Sequence, residues 1–121
     1  MKVISLVLCA SVFALVPRLA SSAAVTPTDR GGTITAGGTA QTVMALNTSR
    51  AGCWIQNPAN AQEDLYVSST ASASTTPGAP DDADLAPGAV WSCVQGSNVI
   101  QSAISVNAAT TNHAFIAKET Q

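Results

Sequence analysis

A chain of 121 residues is long enough for one small domain and too short for two. Its hydrophobic content is 46%, but much of this is alanine and only 4% of the residues are aromatic, so the core must be thin. Five Lys and Arg face seven Asp and Glu. Nucleic-acid binding draws on clustered cations, so we exclude nucleic acid as an expected partner.

Residues 1–23 have the pattern of a secretory signal peptide. Lys2 supplies a positive charge, residues 3–16 form an almost continuous apolar run of 14 positions, and residues 20–24 are small enough for a signal peptidase. We predict cleavage after Ala23, which leaves residues 24–121 as a single domain with three cations and a net charge of −4. The alternative is a retained N-terminal apolar helix. An apolar run of this length is short for a membrane span, so we expect only transient membrane contact through the leader.

Short runs of Val, Ile, Thr and aromatic residues follow the leader, separated by Gly, Pro, Asn and Asp. This pattern predicts an all-β domain. We predict seven short strands, at residues 31–35, 39–46, 53–56, 64–68, 89–94, 104–107 and 113–118. The last two are expected to form a hairpin around residues 109–112. The expected fold is a small antiparallel β-sandwich, jelly-roll-like in its order, preceded by an apolar leader helix.

The longest predicted loop covers residues 69–83 and contains no large apolar side chain. Burial cannot offset the cost of ordering it, so we predict an exposed, mobile segment. Asp81, Asp82 and Asp84 lie in or beside this loop, where carboxylates could bind Ca²⁺. The regular ligand spacing and terminal Glu of an EF-hand are missing, which favours a solvated acidic loop without a metal ion.

Two cysteines remain after the leader, Cys53 and Cys93. Export to an oxidising compartment predicts a disulfide between them, and two buried free thiols are the alternative. Trp54, Tyr66 and Trp91 are open to two interpretations. They either pack in the core beside the disulfide or form a platform that binds a sugar or a partner surface.

Catalytic motifs are absent from the sequence pattern. His113 is the only histidine and is predicted to lie at a turn or on the surface, and no Gly-x-Ser-x-Gly elbow accompanies it. Glu63 and Asp64 are neighbours on a predicted strand, so they point to opposite faces and cannot flank one glycosidic bond. The glycosylation sequon that begins at Asn47 is interpreted as a chance match. We therefore predict a noncatalytic protein without a cofactor.

A series of short motifs runs through the domain. They are Arg50 with Gly52, and residues 55–58, 64–67, 85–88, 103–106 and 108–115. Their order over residues 31–119 resembles the small β-sandwich domains of structural proteins of tailed bacteriophages and prophages. The resemblance implies a noncatalytic decoration or tail-associated role, with other structural proteins of the particle as partners and with many copies or a homo-oligomer.

Two locations follow from the sequence. The resemblance implies a virion component, and a cleaved leader implies a secreted or periplasmic protein. The alternative function is an exported bacterial β-sandwich domain that binds carbohydrate or a cell-surface partner.

Overall fold

The computed structural model describes residues 24–70, 72–76 and 83–121. The predicted leader, residues 1–23, lies outside the described residues. Within the described part the chain is all β and its strands pair antiparallel, which confirms the predicted class. This part has no helix, and thus none that is long and apolar enough to cross a membrane.

The described residues form eleven short strands. They are β1 (Pro27–Asp29), β2 (Gly32–Thr33), β3 (Gln41–Met44), β4 (Gly52–Gln56), β5 (Leu65–Ser68), β6 (Ala83–Leu85), β7 (Val90–Ser92), β8 (Val94–Gln95), β9 (Asn98–Val99), β10 (Ile104–Asn107) and β11 (Ala114–Thr120). Each of the seven predicted strands corresponds to one of these. The strands β1, β6, β8 and β9 were not predicted, because their segments, PTD, ADL, VQ and NV, contain no run of β-forming residues.

The strands form two main sheets and one small hairpin. Sheet I has the order β1–β11–β4–β7, and β2 also pairs with β11. Sheet II has the order β3–β10–β5–β6, and β8 pairs with β9. In sheet I, β11 runs opposite β4 from the pair Ile116 and Gln56 to the pair Thr120 and Gly52. This long pairing makes β4 and β11 the centre of sheet I.

The predicted hairpin between the last two strands is wrong. β10 pairs with β3 and β5 in sheet II, whereas β11 pairs with β1, β2 and β4 in sheet I. Alternation correctly assigns one buried face to each strand, with Ile104 and Val106 on β10 and Phe115 and Ala117 on β11. It does not identify the pairing partner, however. The connection between these strands therefore crosses from one sheet to the other.

Gly37 and Gly38 allow the chain to pass close to this crossing connection. A Cβ atom on Gly37 would clash with the backbone of residues 109–111, so only glycine permits the approach. Gly38 has a φ of +75° and donates its N–H to the carbonyl of Ala108 at 2.8 Å. The predicted turn at this glycine pair thus also contacts the connection that runs from sheet II to sheet I.

The inward faces of both sheets contribute to one hydrophobic core. Its largest fully buried members are Ile34, Met44, Ile55, Leu65, Val67, Ile104 and Val106. The predicted disulfide is present between Cys53 and Cys93, whose Cα atoms are 5.3 Å apart, and both cysteines are buried. It links β4 to the residue after β7, and therefore cross-links two neighbouring strands of sheet I.

The predicted exposed loop is partly wrong. Ser69 and Ala73 are buried, and Ala73 both donates its N–H to Ser105 Oγ at 2.9 Å and accepts a hydrogen bond from Asn107 Nδ2 at 3.0 Å. Residues 72–76 thus lie beside the outward side of β10, where the side chains of Ser105 and Asn107 hydrogen-bond to the backbone of Ala73. Residue 71 and residues 77–82, with Asp81 and Asp82, lie outside the described residues.

A buried ion cluster, Arg50 with Glu119, Arg30 and Asn47, ties the sheets together. Arg50 is 3% exposed and donates through Nε to Glu119 Oε1 at 2.8 Å. Its other guanidinium nitrogens donate to three carbonyl oxygens, those of Ala45, Ile100 and Ser102, at 2.7 to 2.9 Å. Asn47 Nδ2 also donates to Glu119 Oε1, and Arg30 pairs with Oε2. The buried charges are thus hydrogen-bonded as well as paired.

The Glu119 carboxylate is stabilised in its charged form. Burial alone would raise its pKa, but hydrogen bonds from Asn47, Arg50 and Arg30 outweigh that effect and hold the pKa below its ordinary value. A lowered folded-state pKa means that the charged form stabilises the fold above the pKa of the unfolded chain. This contribution is lost as the pH falls through the acid range below about 4.5.

We expect Glu119→Gln to destabilise the fold by about 3 kcal/mol or more, because it leaves the buried Arg50 charge without its partner. Chemical unfolding at pH 7 measures this. The variant should also lose part of the fall in stability that the wild type shows below about pH 4.5. Asp84→Asn, which changes an exposed carboxylate of β6, is the control and should leave stability nearly unchanged. Equal effects of the two substitutions would show that the cluster does not support the fold.

Reduction of the disulfide is a second test. The two cysteines are 40 residues apart in sequence, and a cross-link over that distance contributes about 4 kcal/mol in the chain-entropy model. Urea unfolding with and without reductant should show a loss of this size, and the Cys53→Ala/Cys93→Ala double variant should resemble the reduced protein. An unfolding midpoint that does not respond to reductant contradicts this expectation.

Candidate functional site

The first candidate site is an open polar cleft of about 430 Å³ at one end of the sheets. It lies between the connection that follows β4 and the connection that precedes β11. Seven of the ten residues that line it have polar side chains; the ten are Pro58, Asn60, Ala61, Gln62, Glu63, Thr110, Thr111, Asn112, His113 and Ala114. The two titratable groups here, Glu63 and His113, are the ones that could perform chemistry.

His113 is held between two acceptors. Its Nε2 lies 3.0 Å from Asn57 Oδ1, and its Nδ1 lies 3.2 Å from Glu63 Oε1. The orientation of the Asn57 amide is determined by its Nδ2, which donates to the carbonyl oxygens of Glu63 and Leu85 at 2.9 and 2.8 Å. Asn57 is fully buried, so Oδ1 must face His113 and accept from it. Neither ring nitrogen therefore presents a free lone pair to the cleft.

Glu63 joins the two connections. Its Oε1 accepts from the backbone N–H of Thr110 at 3.0 Å and from the Thr110 hydroxyl, in addition to its contact with His113. Burial would raise the pKa of Glu63, but the Thr110 hydrogen bonds and the neighbouring His113 lower it below its ordinary value. A carboxylate held in its charged form is a poor general acid at neutral pH. Glu63 therefore links the connection that follows β4 to the connection that precedes β11. We call its contacts with Thr110 and His113 the clasp.

The sequence placed His113 correctly beside a turn but did not reveal its surroundings. Of the two predicted positions, a turn or the surface, the structure shows the first: His113 directly follows the turn at residues 111–112 but is only 8% exposed. Glu63 and His113 are 50 positions apart, and no local pattern predicts their contact. Among the residues that the structure describes, no group of three His, Cys, Asp or Glu side chains is arranged to hold a metal ion.

The three aromatic residues of the predicted platform lie in different places. Trp91 points inward from β7 and is 8% exposed, so it packs in the core near the disulfide. Trp54 alternates with the buried Cys53 and Ile55, and its half-exposed side chain points outward from sheet I. Tyr66 points outward from sheet II, opposite Asn107 in the register. Trp54 is thus the aromatic residue available on the outer side of sheet I.

The second candidate site is the outer side of sheet I, which we call the exposed face. It is defined by Trp54, Val90, Val94, Ile116 and Lys118. Val90, Val94 and Ile116 are 56%, 45% and 41% exposed, which is high for large apolar residues. In the register, Trp54 lies between Lys118 and Ser92, and Gln56 lies between Ile116 and Val90.

Val94 extends the exposed face beyond β4. Its Cγ2 atom lies 3.8 Å from the position that a Cβ atom on Gly52 would occupy. Val90, Val94 and Ile116 therefore share the outer side of sheet I with Trp54, and exposed apolar side chains are better suited to contact than to catalysis.

The glycosylation sequon has a structural role. The Nδ2 atom of Asn47 donates to Glu119, and its Oδ1 accepts from the N–H of Ser49 at 3.0 Å. A glycan is attached through Nδ2, which in the folded protein is committed to the buried ion cluster. This geometry supports the interpretation of the sequon as a chance match.

Comparison with known proteins adds no assignment. No family model, curated protein or solved structure matches the chain. The resemblance to phage structural proteins remains a prediction, and function must be argued from the two candidate sites.

The clasp predicts a modest stabilising role for Glu63. Glu63→Ala should cost about 1–2 kcal/mol, because the N–H and the hydroxyl of Thr110 lose their acceptor and water replaces it only partly. Chemical unfolding measures the loss, and hydrogen exchange of the Thr110 amide should become faster. Asp64→Ala, at the adjacent exposed carboxylate, is the matched control. If the two variants unfolded alike and the Thr110 amide kept its protection, the clasp would have no such role.

Proposed function

We propose that this protein is a noncatalytic structural domain that makes protein–protein contacts on a phage-like particle, as a decoration or tail-associated component. The proposed architecture is a small β-sandwich with jelly-roll-like order. The shared core of the two sheets supports this architecture, because residues of sheet I and sheet II belong to the same buried cluster.

The exposed face carries the proposal. Three large apolar side chains that are 41% to 56% exposed lie on the same side of the fold as Trp54, which is partly exposed. Tryptophan is enriched among the residues that dominate binding energy at protein interfaces, and contiguous apolar surface typically marks a contact site. The outward side of sheet II differs, because residues 72–76 of the same chain lie over β10 there.

The polar cleft supports a noncatalytic role. A general base needs a nitrogen lone pair that can reach a substrate, and both nitrogens of His113 already face Asn57 and Glu63. A triad would also need a nucleophile hydrogen-bonded to this histidine, and its described partners are an amide and a carboxylate.

An exported domain that binds carbohydrate or a cell-surface partner is the second candidate. The disulfide favours it, because such bonds persist in oxidising compartments outside the cytoplasm. Trp54, with Ser92 and Gln56 nearby, offers an aromatic ring beside polar groups, which is the chemistry that binds a sugar ring. Trp91 lies in the core, so a glycan platform here would depend on Trp54.

The test is to purify native particles and the secreted fraction from the source organism and to count copies of this chain by quantitative mass spectrometry. We expect a stoichiometric, symmetry-related number of copies per particle. Mass spectrometry of the intact chain also gives the mature N-terminus, which tests cleavage after Ala23. Recovery only as free protein in the secreted fraction, with glycan binding that Trp54→Ala abolishes, would reject the particle role in favour of the second candidate.

A further inference from the structure

We propose that the clasp is a pH-sensitive switch, which is tight when His113 is an imidazolium with a proton on each ring nitrogen and weakens when the ring loses one of them. The clasp joins the connection that follows β4 to the connection that precedes β11. The switch therefore acts on the segment that crosses from sheet II to sheet I. This inference goes beyond the proposed function and does not depend on it, because it rests on the hydrogen bonds around one buried ring.

The amide of Asn57 determines the proton on one ring nitrogen. Its Nδ2 donates to the carbonyl oxygens of Glu63 and Leu85, at 2.9 and 2.8 Å, and these two bonds use both of its protons. Turning the amide over would set Oδ1 against the two carbonyl oxygens and would lose both bonds. Oδ1 therefore faces His113 Nε2, at 3.0 Å, as an acceptor. Since Oδ1 has no proton to give, Nε2 must carry one.

The carboxylate of Glu63 determines the proton on the other ring nitrogen. Its Oε1 lies 3.2 Å from His113 Nδ1. In a neutral ring whose proton is on Nε2, Nδ1 presents a lone pair, and that lone pair would face a carboxylate oxygen. Such a contact is repulsive, whereas a proton on Nδ1 turns it into an attraction between opposite charges. His113 is thus matched to both of its neighbours only as an imidazolium.

Burial makes the clasp respond to this proton. The side chain of His113 is 5% exposed, so little water can replace a lost contact at either ring nitrogen. The side chain of Glu63 is 22% exposed and borders the polar cleft, so it can turn toward solvent. When Nδ1 loses its proton, we expect Glu63 to move away from the ring. Its hydrogen bonds from the N–H and the hydroxyl of Thr110 should weaken as a result.

Glu63 is the charged group that acts on the ring. The segments packed around His113 contribute few other charges: residues 31–44, 52–62 and 107–112 contain none, the connection after β4 adds Asp64, and β6 adds Asp84. Asp64 and Asp84 are exposed. Within the described residues, Glu63 is the one carboxylate that forms an ion pair with His113.

The switch has a limit at each end of the pH scale. Burial opposes the change, but hydrogen bonds from Thr110 and the nearby His113 lower the pKa of Glu63. The carboxylate therefore stays charged until the pH falls into the acid range below about 4.5. A contact that favours a protonated histidine contributes stability at low pH, and this contribution is lost as the pH rises through the titration of the ring. The clasp should thus be tightest between the two titrations and should weaken on the alkaline side.

The experiment is an NMR titration of the purified protein from about pH 5 to about pH 9. His113 is the only histidine, so the two ring nitrogens of the imidazole are observed without overlap. At the acid end we expect both to have the shifts of protonated nitrogens. As the pH rises, Nδ1 should lose its proton and Nε2 should keep it, because Asn57 Oδ1 still accepts from Nε2. The amide signal of Thr110 should move with the same midpoint, because its acceptor moves.

Glu63→Gln and Asp64→Asn form a matched pair of variants. Both replace a carboxylate with an amide of the same shape at adjacent positions, but Asp64 is exposed and does not pair with His113. We expect the ring of Glu63→Gln to lose its proton about one pH unit lower than in the wild type, because the amide offers no charge to the imidazolium. The midpoint of Asp64→Asn should stay within about 0.2 pH units of the wild type. Thermal melting checks that both variants are folded.

The wild-type titration alone can overturn the proposal. It does so if the ring is neutral at the acid end, if Nε2 rather than Nδ1 loses the proton, or if the Thr110 signal does not change with the ring. A clasp with a purely structural role predicts that last result. Equal midpoints of Glu63→Gln and Asp64→Asn would also overturn it. A change in every amide signal at once would show global unfolding rather than a local switch, and would likewise reject it.

Discussion

The buried pair of Arg50 and Glu119 is the constraint on which the rest of the structure depends. β11 buries alternate side chains, Phe115, Ala117 and Glu119, and the third of these is a carboxylate at 1% exposure. An unpaired charge at such a position would be very costly, so the chain must bring a cation to it. Arg50 reaches it from the connection before β4 and also donates to carbonyl oxygens of Ala45, Ile100 and Ser102. One side chain thereby holds the ends of segments from both sheets.

The outward sides of the two sheets carry different kinds of side chain. On sheet II, the outward residues Ser105 and Asn107 bind the backbone of Ala73, so polar side chains there hold a covering segment of the same chain. On sheet I, the outward residues of β4, β7 and β11 include Trp54, Val90 and Ile116, which remain half-exposed or exposed. Polar side chains on a sheet surface can form hydrogen bonds with a covering backbone segment. Exposed apolar side chains gain free energy only when another surface buries them. This difference explains why the contact surface is expected on sheet I.

Sequence reasoning recovered the local structure well and the long-range structure poorly. Seven of the eleven described strands and the bonded cysteines were predictable, because alternation, turn residues and two cysteines in a chain with a predicted leader each carry a direct physical signal. The partners of β10 and β11 were not predictable, because alternation defines a buried face without saying which strand lies beside it.

The sequence also does not predict which contacts individual polar residues make. The pairing of Glu63 with His113, and the burial of Ala73, depend on chain segments that approach only after folding. Composition suggested an exposed loop at residues 69–83 because small residues bury little area. It does not show that the side chains of Ser105 and Asn107 hold the backbone of Ala73 over β10. In the structure, Trp54 lies at an outward position of β4 and Trp91 at an inward position of β7. The sequence does not predict this difference, because the direction of a side chain depends on the exact residue at which the strand begins.

The exposed face lies on the strands that carry the disulfide and the buried ion cluster. Trp54 points outward between Cys53 and Ile55, which point inward, and Cys53 is bonded to Cys93. Lys118 and Ile116 point outward from β11, whose next inward residue is Glu119 in the ion cluster. The disulfide and the ion cluster therefore fix the backbone directly beneath the side chains of the exposed face. A surface held in one conformation loses little entropy when it binds, so a small apolar area contributes more of its burial energy to the contact. For the proposed contact, this would be the physical advantage of placing the disulfide on β4 and the ion cluster on β11, the two central strands of sheet I.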